Sequence, residues 1–159
     1  MKTNPFFLLL FLFFASATAA AQNSAMEDLL NSKTFTFFPD KVMSSGFSGD
    51  QFVQEGYVVR FFPDSVYSSM PYYGSCHSGI TSQNNRVMRF QEKIKTFSVE
   101  KDRHGFVVKT KVRTRSNSYS LTLSVAESGY ATLVVTSRNC EPITYSGEVG
   151  TEKKASEKQ

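Results

Sequence analysis

The chain has 159 residues, of which 40% are hydrophobic and 20% are charged, with no Trp and a formal net charge of +4. This length suits one domain with a sizeable core. The small positive excess is too weak to indicate a nucleic-acid-binding protein. Beyond the first two dozen residues the chain is rich in Tyr, Phe, Val, Thr and Ser, a composition that favours strands over helices.

The N-terminus has the three parts of a secretory signal peptide. Lys2 precedes an apolar run over residues 5–15, and small residues lead up to Ala21. The apolar run is shorter than the roughly 20 residues that a membrane-spanning helix needs, and no similar run follows it. We therefore expect a signal peptide over residues 1–21, cleavage near Ala21, a periplasmic or secreted location and no transmembrane segment.

One short helix is predicted next, over Ala25–Ser32, because Met26, Leu29 and Leu30 share a face at helical spacing. Nine strands bounded by turn residues follow it. The predicted strands are Thr34–Phe38, Tyr57–Phe62, Ser65–Met70, Arg86–Phe90, Ile94–Lys101, Phe106–Arg115, Ser118–Ala126, Tyr130–Ser137 and Ile143–Val149. The polar residues 150–159 are expected to form a disordered tail. This leaves 22–149 as a single all-β domain.

The last five strands are predicted to form an antiparallel meander with turns at 103–104, 116–117, 127–129 and 139–141. Each turn fixes the register of the hairpin that it closes. The expected cross-strand pairs are Val99 with Val108, Lys95 with Val112, Val112 with Leu121, Leu123 with Leu133, and Val135 with Tyr145. One face of this sheet is then apolar and the other carries Lys, Arg, Ser and Thr.

Gly129 decides the loop length of one hairpin. A three-residue loop with Gly129 in the left-handed bulge position pairs Leu123 with Leu133. A two-residue loop would instead pair Ser124 with Leu133 and turn the core residues of one strand to solvent. The longer loop is therefore predicted.

A sheet with one apolar face cannot stand alone, so the earlier aromatic strands and the helix must cover it. The predicted fold class is all-β, an antiparallel meander closing into a sandwich or a partly open barrel, with one short N-terminal helix. The sequence leaves the choice between sandwich and barrel open.

Three segments resemble a known family. These are PDSVYSSMPYYG (63–74), ESGYATLVVTSRN (127–139) and EPITYSGEV (141–149). They are similar to blocks of domain-of-unknown-function family 4251 (DUF4251), small exported proteins of Bacteroides-type bacteria. The resemblance spans roughly residues 25–149 and implies one all-β domain in a periplasmic or secreted setting, with no activity or site residues to carry over. Cys76 and Cys140 depart from the usual family pattern, so a bridge between them would be a local feature.

Cys76 and Cys140 are expected to form a disulfide, because a lone cysteine pair in an oxidising compartment most often does so. Two free, partly buried thiols are the alternative, followed by a thiol nucleophile or a metal site. A Cys76–His77 dyad is disfavoured, since neighbours on an extended chain point to opposite sides. His104 lies in a polar turn. We therefore predict no catalytic residues, no metal site and no cofactor.

Two surfaces are candidates for binding. Lys109, Lys111, Arg113 and Arg115 alternate along one strand and form a basic ladder on the face opposite its core residues. A solvated outer face explains the ladder adequately, and an anion-binding surface is the alternative. Tyr72 and Tyr73 point to opposite sides if extended, which leaves one of them available to a ligand.

The leading hypothesis from sequence is an exported, non-catalytic binding or interaction module of the cell envelope. Its partner would be a protein or a small-molecule ligand, and not nucleic acid. One alternative is a lipocalin-like carrier of a small apolar ligand, which requires an interior cavity. The other is an enzyme of unrecognised type, which requires a deep pocket with convergent polar groups.

Overall fold

The computed structural model describes residues 25–44, 49–76, 87–115 and 117–151. The predicted signal peptide, His77 and residues 152–159 of the predicted tail lie outside these ranges. Within them, no helix is both long and apolar enough to cross a membrane.

Nine strands account for most of the described chain and confirm the all-β class. In chain order they are β1 (Phe35–Ser44), β2 (Gln51–Phe52), β3 (Val58–Phe61), β4 (Ser65–Pro71), β5 (Val87–Asp102), β6 (Gly105–Arg113), β7 (Ser118–Ala126), β8 (Tyr130–Ser137) and β9 (Ile143–Gly150). The two strands expected over 86–90 and 94–101 are one continuous strand, β5. The polar residues between them do not interrupt the ladder.

The strands form one antiparallel sheet that closes on itself. Their order is β2-β1-β3-β4-β5-β6-β7-β8-β9, and a further pairing of β1 with β9 completes the ring. The first half of β1 pairs with β3 and its second half with β2, on the edge opposite β9. Eight strands thus form a closed antiparallel barrel, to which β2 adds an extra strand. Of the two architectures left open by the sequence, the barrel is the one found.

A β-bulge marks the seam where the barrel closes. Pro39 lies opposite Gly147, while Lys41 lies opposite Ser146, so Asp40 is the extra residue. The strand predicted over Thr34–Phe38 ends before Pro39; in the structure β1 continues through Pro39 to Ser44, because a bulge accommodates a proline within a sheet. A Cβ on Gly147 would overlap the carbonyl oxygen of Phe38 and lie 2.8 Å from the Cα of Pro39. The close approach of β1 and β9 therefore requires glycine at this position.

The helix is confirmed, with residues 25–31 helical. Leu30 is fully buried, and Met26 and Leu29 pack against the same core. Lys33 has a φ of 56°, a left-handed conformation that ends the helix. Met26 reaches the loop that contains Gly129, so the helix lies at the barrel end that carries this turn.

Two of the predicted hairpin registers are correct at their turns. Val99 lies opposite Val108, and Leu123 lies opposite Leu133. Gly129 has a φ of 91°, and its N–H donates to the carbonyl of Ala126 at 2.9 Å. This is the three-residue loop predicted from the apolar pattern.

Three of the predicted pairs are wrong, each for a local reason. Ile94, rather than Lys95, lies opposite Val112, because a bulge shifts the register between Ile94 and Thr96. A four-residue loop over 114–117 makes Tyr119, rather than Leu121, the β7 partner of Val112.

The third error lies in the last hairpin, where Val135 faces Ile143 instead of Tyr145. Both hairpin errors are shifts of two residues along a strand. Because side chains alternate with a period of two, such shifts leave the same residues in the core. The predicted inner face is therefore correct although the partners differ.

Side chains pack the barrel interior. The largest fully buried ones are Tyr145, Phe37, Phe61, Phe106, Leu30, Met70, Leu121, Leu123, Leu133, Ile143, Val42 and Val59. An eight-stranded barrel is just wide enough for side chains to fill it. Thr110 is a polar member of this core at 2% exposure, and its hydroxyl has no hydrogen-bond partner among the described residues.

Candidate functional site

One end of the barrel gathers most of the predicted site residues. Three segments meet there: residues 72–76 after β4, the β6–β7 loop over 114–117 and the β8–β9 loop over 138–142. The Cys76–Cys140 disulfide joins the first segment to the third, as the sequence predicts, and we call this the disulfide end. Both sulfurs are in the bond, so neither cysteine is a free thiol.

Tyr72 anchors the segment after β4 to the β8–β9 loop. Its hydroxyl donates to the carbonyl oxygen of Glu141 at 2.8 Å and lies 3.4 Å from that of Ser75. The backbone N–H of Ser75 donates to Oε2 of Glu141 at 3.1 Å, and the N–H of Glu141 donates to the carbonyl of Ser75 at 2.9 Å. The phenolic hydroxyl of Tyr72 is thus engaged within the protein.

The hydroxyls of Tyr72 and Tyr145 are held neutral. Burial raises the pKa of Tyr72 to about 12, with a smaller contribution from the negative charge of Glu141. Burial likewise raises the pKa of Tyr145, whose hydroxyl donates to the carbonyl of Pro71 at 2.7 Å. Tyr73 is half-buried and packs against the core. Tyr72 and Tyr145 therefore act as hydrogen-bond donors at neutral pH and not as bases.

The basic ladder lies on the outside of β6, as alternation predicts. Lys109, Lys111 and Arg113 are all exposed, whereas Val108 and Val112 face the core. Lys109 is paired, with its Nζ 2.7 Å from Oε2 of Glu100 on β5. Lys111 and Arg113 make no ion pair with any residue that the structure describes. The free positive charge is thus concentrated toward the disulfide end of the strand.

The ladder leads into a cleft of about 250 Å³ between the β6–β7 and β8–β9 loops. We call it the arginine cleft. Its lining includes Arg113, Arg115, Arg138, Asn117, Ser118 and Asn139. None of the described residues that line it is acidic.

The sequence pattern identifies Arg113 and Arg115 as neighbouring basic positions but misses Arg138. Arg138 lies in a different hairpin loop, and only the folded barrel brings it beside the other two. A basic residue two positions before Cys140 is the available clue, since the disulfide fixes the place of that loop.

Hydrogen bonds within the loops hold the walls of the cleft. The N–H of Thr114 donates to the carbonyl of Asn117 at 2.9 Å, and the N–H of Asn117 donates to Oγ1 of Thr114 at 3.0 Å. The buried Asn117 accepts the N–H of Ser118 through Oδ1 at 2.8 Å. On the facing loop, the N–H of Cys140 donates to Oγ of Ser137 at 3.1 Å. Hydrogen bonds within the protein therefore hold both loops in place without a ligand.

A second cleft, of about 210 Å³, lies at the opposite end of the barrel. Its lining includes Asp102, His104, Phe106 and the exposed Tyr130. Oδ1 of Asp102 accepts the backbone N–H of His104 at 2.8 Å, which is a turn contact. In the described ranges, no three His, Cys, Asp or Glu residues gather as metal ligands would.

The family model for a domain of unknown function, DUF4251, matches residues 17–149, which is most of the chain. The chain belongs to the DUF4251 family. No curated protein matches its sequence.

The DUF4251 assignment agrees with a structural likeness. The crystal structure of a DUF4251 family protein from Bacteroides eggerthii is similar to this barrel, with a TM-score of 0.64 and 14% sequence identity. The likeness covers 87% of this chain and 93% of that protein. At this identity the likeness establishes the DUF4251 fold, and the roles of side chains must be argued from this chain alone.

Proposed function

We propose that this DUF4251 protein is an exported, non-catalytic binding module of the cell envelope that holds an anionic ligand or partner on its outer surface. One observation carries the proposal. Lys111, Arg113 and Arg115 are exposed at alternate positions along the end of β6 and the loop that follows it, and within the described residues none of them has an acidic partner. Uncompensated positive charge at one place on a surface attracts anions and speeds their association.

Packing of the interior supports an outer binding surface over an internal one. Aromatic side chains such as Phe37, Phe61 and Tyr145 are fully buried where a lipocalin-like carrier would hold its ligand. A carrier of small apolar molecules therefore has less support than a surface-binding module.

The non-catalytic part of the proposal is supported by the state of the reactive groups. Cys76 and Cys140 are joined to each other, which removes the thiolate that a nucleophile requires. The raised pKa of Tyr72 keeps its hydroxyl protonated, so it is a poor general base at neutral pH.

Export is supported by the signal-like N-terminus and by the disulfide, which persists in oxidising compartments. N-terminal sequencing of protein from the periplasm or the medium tests this part. We expect the mature chain to begin at or near Gln22. Recovery of chains that retain Met1 in the membrane fraction would contradict it.

A pull-down from the envelope of the natural host tests the binding proposal. The bait is the mature protein, compared with Lys111→Gln/Arg113→Gln and with a control, Lys93→Gln/Arg103→Gln, which removes the same charge from exposed positions elsewhere. Mass spectrometry identifies the retained proteins and small molecules. We expect the wild type and the control to retain the same anionic species and the ladder variant to lose it. Equal retention by all three baits, or chemical conversion of the retained molecule, would contradict the proposal.

A further inference from the structure

We propose that the arginine cleft is a phosphate-binding site and that the ligand of this protein carries a phosphomonoester group. This inference rests on the proposed function, because it names the chemical class of the anion. The juxtaposition that carries it is that of Arg113, Arg115 and Arg138, from two separate loops, around one cleft of about 250 Å³.

The first argument is charge. Arg113, Arg115 and Arg138 all line the cleft, and no ion pair joins any of them to an acidic group among the described residues. A single carboxylate would leave most of this charge uncompensated. A phosphomonoester carries about −1.5 to −2 charges at neutral pH and offers three acceptor oxygens. It therefore matches the charge of the cleft better than a carboxylate does.

The second argument is the geometry of the donors. Each guanidinium presents a planar fork of N–H groups that fits two oxygens of a phosphate at once. Ser118 and Asn139 line the same cleft, and a hydroxyl and a side-chain amide are neutral groups that can donate to a phosphate oxygen. A tetrahedral oxyanion can use donors that arrive from several directions, as they do when two loops contribute.

The third argument is preorganisation. Arg113 ends a barrel strand, and the loop that carries Arg115 is closed by the hydrogen bonds between Thr114 and Asn117. The loop that carries Arg138 is tied down by the Cys140 disulfide. A site whose walls are already ordered loses less conformational entropy on binding.

The size of the cleft limits what it encloses. Pockets for drug-sized ligands have volumes of about 300–1,000 Å³, and this cleft lies below that range. The cleft therefore encloses only the anionic group, and the rest of the ligand molecule stays outside it. Phosphomonoesters occur on lipid headgroups and on soluble sugars, so the experiment must separate these two sources.

Isothermal titration calorimetry on the mature, disulfide-bonded protein at physiological ionic strength tests the site. The probes are inorganic phosphate, glucose 6-phosphate, and phosphatidylcholine vesicles with and without phosphatidic acid. We expect saturable binding of inorganic phosphate by the wild type. Tighter binding of glucose 6-phosphate would then indicate a soluble ligand, and tighter binding of the phosphatidic acid vesicles would indicate a lipid.

Variants locate the binding. We expect Arg115→Gln and Arg138→Gln each to weaken phosphate binding on the order of tenfold or more, because each removes a charge-assisted contact. Arg138→Lys keeps the positive charge but loses the planar fork of N–H donors. Its affinity for phosphate should therefore lie between that of the wild type and that of Arg138→Gln. Arg103→Gln removes an exposed arginine at the opposite end and should bind as the wild type does. Thermal melts of each variant show whether it is folded.

The outcomes separate this inference from the proposed function. If the wild type does not bind phosphate, or if Arg138→Gln binds it unchanged, the phosphate site is wrong. The proposed binding function would still hold if Lys111→Gln/Arg113→Gln failed to retain the envelope species in the pull-down. If the ladder variant retains every envelope species as well, both proposals fall.

Discussion

The hydroxyl of Tyr72 donates a 2.8 Å hydrogen bond to the carbonyl oxygen of Glu141, which lies 69 positions later in the chain. Beside it, the Cys76–Cys140 disulfide joins the same two segments. These two links connect the exit of β4 to the loop that carries Arg138. The anchors of the disulfide end therefore also set one wall of the arginine cleft.

Tyr72 should make the protein sensitive to alkaline pH. In the unfolded chain a tyrosine loses its proton near pH 10, whereas the native Tyr72 keeps it until about pH 12. The native state then binds more protons than the unfolded state, so the free energy of unfolding falls as pH rises through this window. Below pH 10 this contribution is fully present.

Urea denaturation at a series of pH values between 9 and 12 checks this. We expect the stability of Tyr72→Phe to fall less steeply than that of the wild type above pH 10. Tyr130→Phe, which removes a hydroxyl from an exposed side chain, should follow the wild type. Parallel curves for Tyr72→Phe and the wild type would contradict the assignment.

Loss of the disulfide should destabilise the protein substantially. The bridge closes a loop with a sequence separation of 64, for which the chain-entropy model gives about 4 kcal/mol. We expect Cys76→Ser/Cys140→Ser to unfold at lower denaturant concentration than the oxidised wild type, and reductant to affect only the wild type. Alkylation of freshly isolated protein that is denatured without reductant should find no free thiol. Two alkylated cysteines would reject the bridge.

Gly129 should not tolerate a side chain. Its φ of 91° is strained for any residue with a Cβ, and a Cβ there would lie 3.3 Å from Cε of Met26. We expect Gly129→Ala to lower the free energy of unfolding by about 1–2 kcal/mol. Ser128→Ala, at the neighbouring exposed position, is the control; it removes only an exposed hydroxyl that lies 3.4 Å from the backbone nitrogen of Tyr130, and it should have little effect. An unchanged midpoint for Gly129→Ala would argue against the bulged loop.

The hairpin at Gly129 also illustrates what the sequence can predict. A glycine and two alternating strands determine both loop length and register there. At the turns predicted over 116–117 and 139–141, alternation specifies only which residues face the core. A shift of two residues, as at Leu121 and Tyr145, leaves that pattern unchanged and cannot be detected from it. Closure of β1 on β9 could not be predicted, because no turn joins these distant strands. Alternation located Lys111 and Arg113, whereas tertiary structure placed Arg138.

Removal of the Thr110 hydroxyl should stabilise the protein. The group is buried without a hydrogen-bond partner among the described residues, and burial of such a group costs free energy. We expect Thr110→Val, which keeps the shape, to raise the free energy of unfolding by about 1 kcal/mol. Ser68→Ala is the comparison, because it removes a buried hydroxyl that donates to the carbonyl of Met88 at 3.2 Å. Ser68→Ala should lower the free energy of unfolding. An equal decrease for Thr110→Val would show that the hydroxyl of Thr110 has a hydrogen-bond partner.

The proposed anion-binding site at the disulfide end is tested most directly by NMR. The ¹⁵N-labelled mature protein is titrated with inorganic phosphate, and the chemical shifts of its backbone amides are followed. The titration reports which part of the barrel the anion contacts, without any substitution. We predict saturable shifts that are largest over residues 113–118 and 138–140, with little change at Asp102, His104 and Tyr130 around the opposite cleft. Shifts centred on that opposite cleft, or no saturable shifts at all, would contradict an anion-binding site at the disulfide end.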